Sequence, residues 1–462
     1  PVAEEPRIHR GGAGHGRLCY HFFKHFEKYY EHSALPLPPF CYVLSDFTEA
    51  NLDFWKEHPR LQPYLSLGWL DITHFDVESS SELTLAYSGR TITADSLAQP
   101  LIVIANYFFD TIPQELFHIE DGAIAHGLLS LSSEADPAAS TPGELIDSLQ
   151  LTYDYAEATA PLYAQEPFLD ELVEGYRQRL VSSHLLFPHV GLRCLARLRQ
   201  LSQQGLLLLS ADKGEHHLSN LDNQPAPRLT THGSFSLNVN YHAFSAYCTQ
   251  QGGLPLFPGH QQASLDLGCL LFLAEADSYK ETLNAYLRFV NDYGPDDYFS
   301  LKKLIEQYFD TLSVRDILAT LRLSGYDARI FQQMLPRLHE LLPEISGNER
   351  WGLFQASHRI WDTYYPLGEE NDLAFALGQL LFSLEFYQEA IAYFELSLKI
   401  YGEDAGSLYN IALCHVILDQ VTEATSVMET LRLLHPDDEA LDALYEQLRV
   451  SVSEADAVQA AV

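Results

Sequence analysis

Close to its N-terminus, the segment Pro6 to His9 runs into Arg10-Gly11-Gly12-Ala13-Gly14-His15-Gly16-Arg17, and an amphipathic pattern starts at Leu18. Strand, glycine turn, helix is the reading that constrains the fold most. Gly12, Gly14 and Gly16 let the backbone turn sharply and approach a ligand, with a helix N-terminus behind it. Such turns serve dinucleotides or S-adenosylmethionine. A bare glycine run is equally a plain flexible turn, so the rest of the chain must decide.

From Leu18 to Tyr30, Leu18, Phe22, Phe26 and Tyr29 recur at spacings of three and four and predict one buried helix face. Phe40 to Ser45 then reads as a short buried strand closed by Asp46. An acid ending the second strand of a βαβ unit is placed to accept hydrogen bonds from ribose hydroxyls. Asp46 is equally suited to cap the helix expected from Glu49 to His58. A third strand within Leu65 to Phe75 carries Asp71, which either meets an adenine amino group or sits in a solvated turn.

Leu101 to Ala105 is β-branched, uninterrupted and fully apolar, so it predicts a central parallel strand. It delivers Asn106-Tyr107-Phe108-Phe109-Asp110-Thr111-Ile112-Pro113 to the carboxyl edge, where ligands bind in open α/β sheets. Asn106 and Asp110 are therefore site candidates, and Asp212 and His242 are outside candidates for proton handling. Residues 130–143 read as a loop, and Glu144 to Gln204 as helical with a break near Pro188. Leu206 to Leu209, His232 to Asn240 and Leu265 to Ala274 are the later strands. The late pair suits a closing antiparallel strand better than a second mononucleotide half.

Beyond Glu275 helical periodicity takes over, with helices expected over Ser278–Tyr293, Tyr298–Leu312, Ser313–Ser324 and Ala328–Leu342. A repeat of period 34 follows. Leu377-Gly378, Ala390, Phe394 and Gly402 stand opposite Ile411-Ala412, Ala424, Met428 and Pro436. The spacing resembles the tetratricopeptide repeat, with Asn348 to Tyr365 as a degenerate third copy. The expected domains are therefore an α/β domain over 1–275, a helical connector over 276–347, repeats over 348–447 and a frayed tail over 448–462.

With 63 acidic and 28 basic residues the net charge is −35, which argues against nucleic-acid and anionic-membrane surfaces. It leaves a solvated surface or a face for a basic protein. Six scattered cysteines without a C-x-x-C pair give neither a disulfide framework nor a zinc module, and no metal site is expected. Without a membrane-length apolar run or a signal peptide, the expected compartment is the cytoplasm. The opening on Pro1-Val2, almost at the first strand, leads us to expect a preceding segment.

Taken together, these residues resemble the MidA-like family of S-adenosylmethionine-dependent methyltransferases, extended by tetratricopeptide repeats. The resemblance covers roughly residues 6 to 275. It rests on Gly12 to Arg17, on Ile104 to Pro113, which looks like the signature "A-N-E-F-F-D-A-L-P", and on His232 to His242. It implies a Rossmann-like seven-stranded sheet, S-adenosyl-L-methionine as cofactor and methyl transfer to a protein recruited by the repeats. A homodimer is a further expectation. Gly12, Ala13, Gly14 and Gly16 are then expected to hold the methionine part of the cofactor, Asp46 the ribose and Asp71 the adenine, with Asn106 and Asp110 facing the substrate.

Two positions depart from the pattern. Arg10 stands where an acid usually holds the cofactor's amino group, and two cations there repel by a few kcal/mol at an effective dielectric near 20. Tyr107 replaces the signature's glutamate and cannot pair bidentately with a guanidinium. Both favour an alternative, a degenerate methyltransferase fold serving as an interaction scaffold. A nicotinamide-dependent oxidoreductase is the third reading that the glycines allow.

Overall fold

The structure is a computed structural model that describes residues 7–434, other than 12–13, 34–38, 134, 137–139, 142–143, 146–147, 160, 229, 232–234 and 261–263. The chain divides into two compact units, Pro1–Lys303 and Leu304–Val462. The first is mixed α/β and includes the helix Lys280–Tyr286, which the sequence groups with the connector. The second is helical over its described residues.

In the first unit, β1 (Arg7–Gly11), α1 (Arg17–His32), β2 (Cys41–Asp46), α2 (Glu49–Glu57) and β3 (Leu70–His74) follow the expected alternation. Next come β4 (Leu101–Asn106), β5 (Glu115–Glu120), β6 (Ala123–Ser133) and β7 (Leu149–Glu157). Then come α3 (Pro167–Arg179), β8 (Ser182–Phe187), α4 (His189–Arg199), β9 (Gly205–Asp212), α5 (Tyr241–Gln250), β10 (Leu254–Leu256) and β11 (Asp266–Leu273).

Seven of these strands form one sheet in the order β10-β11-β9-β4-β1-β2-β3. β1, β2, β3, β4 and β9 run parallel, and β11 is reversed against both β9 and β10. Apolar runs such as Leu101-Ile102-Val103 can occupy its centre because an α/β sheet is packed rather than solvated. Leu101, Val103, Ala105, Leu206, Leu208, Leu270 and Phe272 share one core with Leu192, Leu195, Phe244 and Tyr247 of α4 and α5.

The sequence misreads two stretches. Residues 130–133, read as loop, end β6, and the helical reading of Glu144 to Gln204 gives way to β7, α3, β8 and α4. β8, β5, β6 and β7 make a second, antiparallel four-stranded sheet. Leu149, Leu151, Tyr153 and Tyr155 alternate with polar residues at period two, which is a strand signal. The strand read from His232 to Asn240 is reduced to Phe235–Ser236 and Val239–Asn240, with 232–234 outside the described residues.

The second unit stacks α6 (Val314–Leu323), α7 (Ala328–Leu341), α8 (Gly347–Thr363), α9 (Leu373–Ser383), α10 (Tyr387–Tyr401), α11 (Ala405–Ile417) and α12 (Val421–Leu434). The period of 34 is visible in the backbone. Glu385 and Asp419 both adopt positive φ, 65° and 60°, in the turns that close the α9–α10 and α11–α12 hairpins. Asp372 and Asp404 cap α9 and α11 through Phe375 N and Ser407 N. A Cβ on Gly378 would stand 2.7 Å from the Phe394 ring, which is fully buried. Gly378→Val is therefore expected to destabilise this unit by about 1–3 kcal/mol through overpacking. Faster amide exchange across α9 and α10 is the readout; exchange like that of the parent chain would mean that the ring yields. Pro436 and the tail over 448–462 lie outside the described residues.

Candidate functional site

The strand order reverses direction between β1 and β4, and the crevice outside their carboxyl ends is where open α/β sheets bind ligands. The glycine turn after β1 enters this crevice. Gly14 and Gly16 have φ of 53° and 79°, values that a side chain resists, and a Cβ on Gly14 would meet nothing within 4 Å. The turn is tied down from β2 and α2. Asp46 Oδ2 accepts from Gly14 N at 3.2 Å, and Trp55 Nε1 donates to Gly14 O at 2.9 Å. Asp46 Oδ1 also accepts from Thr48 N at 3.0 Å and Thr48 Oγ1 at 2.6 Å. Thr48, not Asp46, occupies the cap position of α2. Only 8% of Asp46 is exposed, yet a carboxylate has about four acceptor sites, so one remains for a ligand hydroxyl.

Asp71 does not join this group. It lies level with Val43, three positions before the Asp46–His74 pair at the carboxyl edge, so it sits too low in the sheet to meet a base. Its carboxylate accepts from Ile72 N, Tyr87 N and Ser88 N and pins the hairpin around residues 85–90. Nor is it a solvated turn residue, being 3% exposed.

At the end of β4, Asn106 pairs with Ala211 of β9 and is half-buried. Tyr107 adopts φ 51° and stays 48% exposed, whereas Phe108 and Phe109 turn into the core. The anchor of this turn is Asp212, the last residue of β9 and fully buried. Its carboxylate accepts from Phe108 N at 2.8 Å, Phe109 N at 3.4 Å and Tyr241 Oη at 2.8 Å, and Ser210 lies 2.6 Å from that tyrosine. Asp110 folds back against Asp212 and Ser236, leaving its Oδ1 without a partner. Burial raises both carboxyls, and for Asp212 the neighbouring charge of Asp110 adds to it. Neighbouring buried carboxyls disfavour the ionisation of both together. Burial, then these two acids, also raises the Tyr107 phenol.

Further along the same edge, Asp266 of β11 faces Asp212 across the strands and holds His216 Nδ1 at 2.8 Å. His242 Nδ1 lies 2.7 Å from Tyr176 Oη, and burial, then Arg179 and His216, pushes its imidazole down to about 4. A histidine so depressed is neutral in use. Beyond Asp212, the bridge between Gly214–Glu215 and Val239–Asn240 and the loop over 220–228 enclose a cavity of about 650 Å³. Among the described residues no group of His, Cys, Asp and Glu is arranged to hold a metal ion, and no helix is long and apolar enough to cross a membrane. All six cysteines are buried.

The structure thus gathers Gly14, Gly16, Asp46, Asn106 and Asp110 along one edge and leaves Asp71 out. Gly12 and Ala13 lie outside the described residues, and Arg10 is known only by its backbone pairing with Leu44 and Ile104. Trp55 and the Tyr241–Ser210 pair leave no local signal in the sequence, because they act on residues distant along the chain.

Solved structures offer distant likenesses. An uncharacterized COG1565 superfamily protein from Burkholderia thailandensis shares 12% identity at a TM-score of 0.34, over 55% of this chain and 60% of that one. A COG1565 superfamily member from the same organism, bound to S-adenosyl-homocysteine, shares 13% at 0.34, over 55% and 58%. The CMeT domain of the citrinin polyketide synthase shares 10% at 0.28, over 59% and 48%. The chain spans about half to three-fifths of their lengths. No protein-family model matches, and no curated protein does.

Proposed function

We propose that the first unit is an S-adenosylmethionine-dependent methyltransferase of Rossmann-like fold, acting on a protein side chain. The observation that supports this most is the order β10-β11-β9-β4-β1-β2-β3 with β11 reversed, above a glycine turn bonded to the aspartate that ends β2. A dinucleotide fold of the common type continues with parallel strands on that side. The residues fit the cofactor. The open space at Gly14 admits a close approach, Asp46 keeps an acceptor for a ribose hydroxyl, and the half-exposed Tyr107 offers a flat face. When bound, S-adenosylmethionine supplies an electrophilic methyl group. The chain contributes position and orientation, with Asn106 and Tyr107 at the mouth and the Asp110–Asp212 pair fixing the turn behind them. The repeats of the second unit, read as tetratricopeptide-like, recruit the protein substrate.

Calorimetric titration with S-adenosylmethionine, S-adenosylhomocysteine and NAD tests this reading. Micromolar binding of the first two and not the third is the expected result. Binding of NAD alone would transfer the site to hydride chemistry. Binding of none, by a folded sample, would favour the scaffold alternative, to which the tyrosine at position 107 already points.

A further inference from the structure

We infer that β7 is an interface between two copies of this chain. The two β7 strands pair antiparallel about a two-fold axis at Thr152 and join two four-stranded sheets into one continuous sheet.

A sheet edge presents a row of unpaired N–H and C=O groups, and proteins guard such rows with short strands, prolines, lysines, bulges or covering loops. This chain guards its other edges. β10 is three residues long with Pro255 at its centre. β3 is covered from residues 84–86, where Ala86 N donates to Ile72 O at 2.7 Å and Thr84 O accepts from Thr73 Oγ1 at 2.8 Å. β8 is sealed by the loop over 222–224, with Asn223 N donating to Ser182 O at 2.8 Å and His184 N to Gln224 O at 3.0 Å. β7, at the far end of that second sheet, has none of these devices. It pairs with β6 at all nine of its positions without a bulge, and it holds neither Lys nor Pro. Among the described residues, no backbone group of β7 bonds to anything but β6.

The strand is complementary to itself. Two chains of net charge −35 can meet only through a surface of few charges. β6 contains no Asp, Glu, Lys or Arg, and β7 contains only Asp154 and Glu157. Pairing about Thr152 sets Leu149 opposite Tyr155 and Leu151 opposite Tyr153 on one face, and Gln150 opposite Asp154 on the other. Each pair occurs twice, as a two-fold interface requires. Aromatic and aliphatic side chains facing each other across strands stabilise a sheet, and like charges there destabilise it. An axis at Asp154 would bring its two carboxylates together, and one at Tyr153 would set Leu149 against Glu157. The apolar face also continues inward. Leu129 and Leu131, 50% and 55% exposed, stand beside Tyr153 and Leu151, and Tyr153 Oη ties the ribbon to the body through Pro227 O at 2.8 Å.

The test is sedimentation equilibrium of the full chain at micromolar concentrations, where the parent should reach twice its mass of 52.2 kDa. Thr152 is exposed, so Thr152→Lys and Thr152→Glu leave the fold intact while setting two like charges face to face at the axis. Each should weaken association at least tenfold with an unchanged melting temperature, and an equal mixture of the two should regain it. Gln150→Lys meets Asp154 of the other copy and should tighten the dimer. A parent that stays monomeric, a dimer indifferent to both Thr152 variants, or a mixture that fails to associate would overturn the β7 interface. Should either Thr152 variant melt lower than the parent, Gln150→Lys decides, and no gain in association overturns the interface.

Discussion

Asp46→Asn is expected to weaken S-adenosylhomocysteine binding at least tenfold and to lower the melting temperature of the first unit. One side chain carries both effects. Its Oδ2 receives the Gly14 amide, and its Oδ1 receives the amide and hydroxyl of Thr48. An asparagine can place its oxygen toward only one of these partners, so its NH₂ then faces a donor and that side opens. Hydrogen bonds to a charged group contribute about 1.5–3 kcal/mol each, and 1.4 kcal/mol is already tenfold in affinity. Because Asp46 is almost buried, the loss appears in stability as well as in binding. Calorimetry and a thermal melt of the same sample separate the two. If the variant melts lower yet binds as tightly as its parent, Asp46 only braces α2, and the glycine turn is not where the cofactor sits.

Local signals in the sequence carried the central sheet. Leu101 to Ala105 and Leu206 to Leu209 could only be buried strands, and the glycine run with Asp46 gave the first βαβ unit. The second sheet was lost for two reasons. β6 ends in Ser130, Ser132 and Ser133, which resemble a loop when read alone. β7 alternates at period two, but it lies just before the helical stretch Pro167–Arg179, whose pattern dominates a longer window. The helical hairpins were legible because Gly378 and Ala412 must be small where Phe394 and Met428 pack, and that demand repeats every 34 residues.

The candidate site is legible where a residue ends a strand, and obscure where a residue's place depends on contacts across the chain. Asp71 looked equivalent to Asp46, since both are acids in neighbouring strands. Register decides between them, and register is not written in either strand alone. Asp212 lies 104 residues from Phe108, whose amide it holds. Composition offers no trace of that bond. The aromatic run behaves likewise. Tyr107 stays out because its positive φ turns it from the core, while Phe108 and Phe109 go in behind the Asp212 carboxylate.

That carboxylate sets the second large effect. Asp212→Ala is expected to cost about 3 kcal/mol or more, because it strands the amides of Phe108 and Phe109 and the Tyr241 hydroxyl in the core. Asp212→Asn separates charge from contact. Its Oδ1 can accept from Phe108 N while its amide donates to Tyr241 Oη, whose own proton goes to Ser210, and what it gives up is the long 3.4 Å bond from Phe109 N. The pH dependence then distinguishes the two variants. Burial first, and Asp110 second, raise Asp212 in the folded chain above its unfolded value near 4. A raised carboxyl favours the folded state at acid pH, below the unfolded value, and that contribution is lost as the pH climbs through the folded value. The parent's first unit should therefore melt progressively lower as the pH is raised from 5 to 8. The asparagine variant, which has no proton to lose there, should show a flatter dependence and match or exceed the parent at pH 8. Melts of both across that range decide the matter. Parallel curves would mean that the pair is already ionised in the fold, with Lys213, which favours the charged form of Asp110, supplying more compensation than its position suggests.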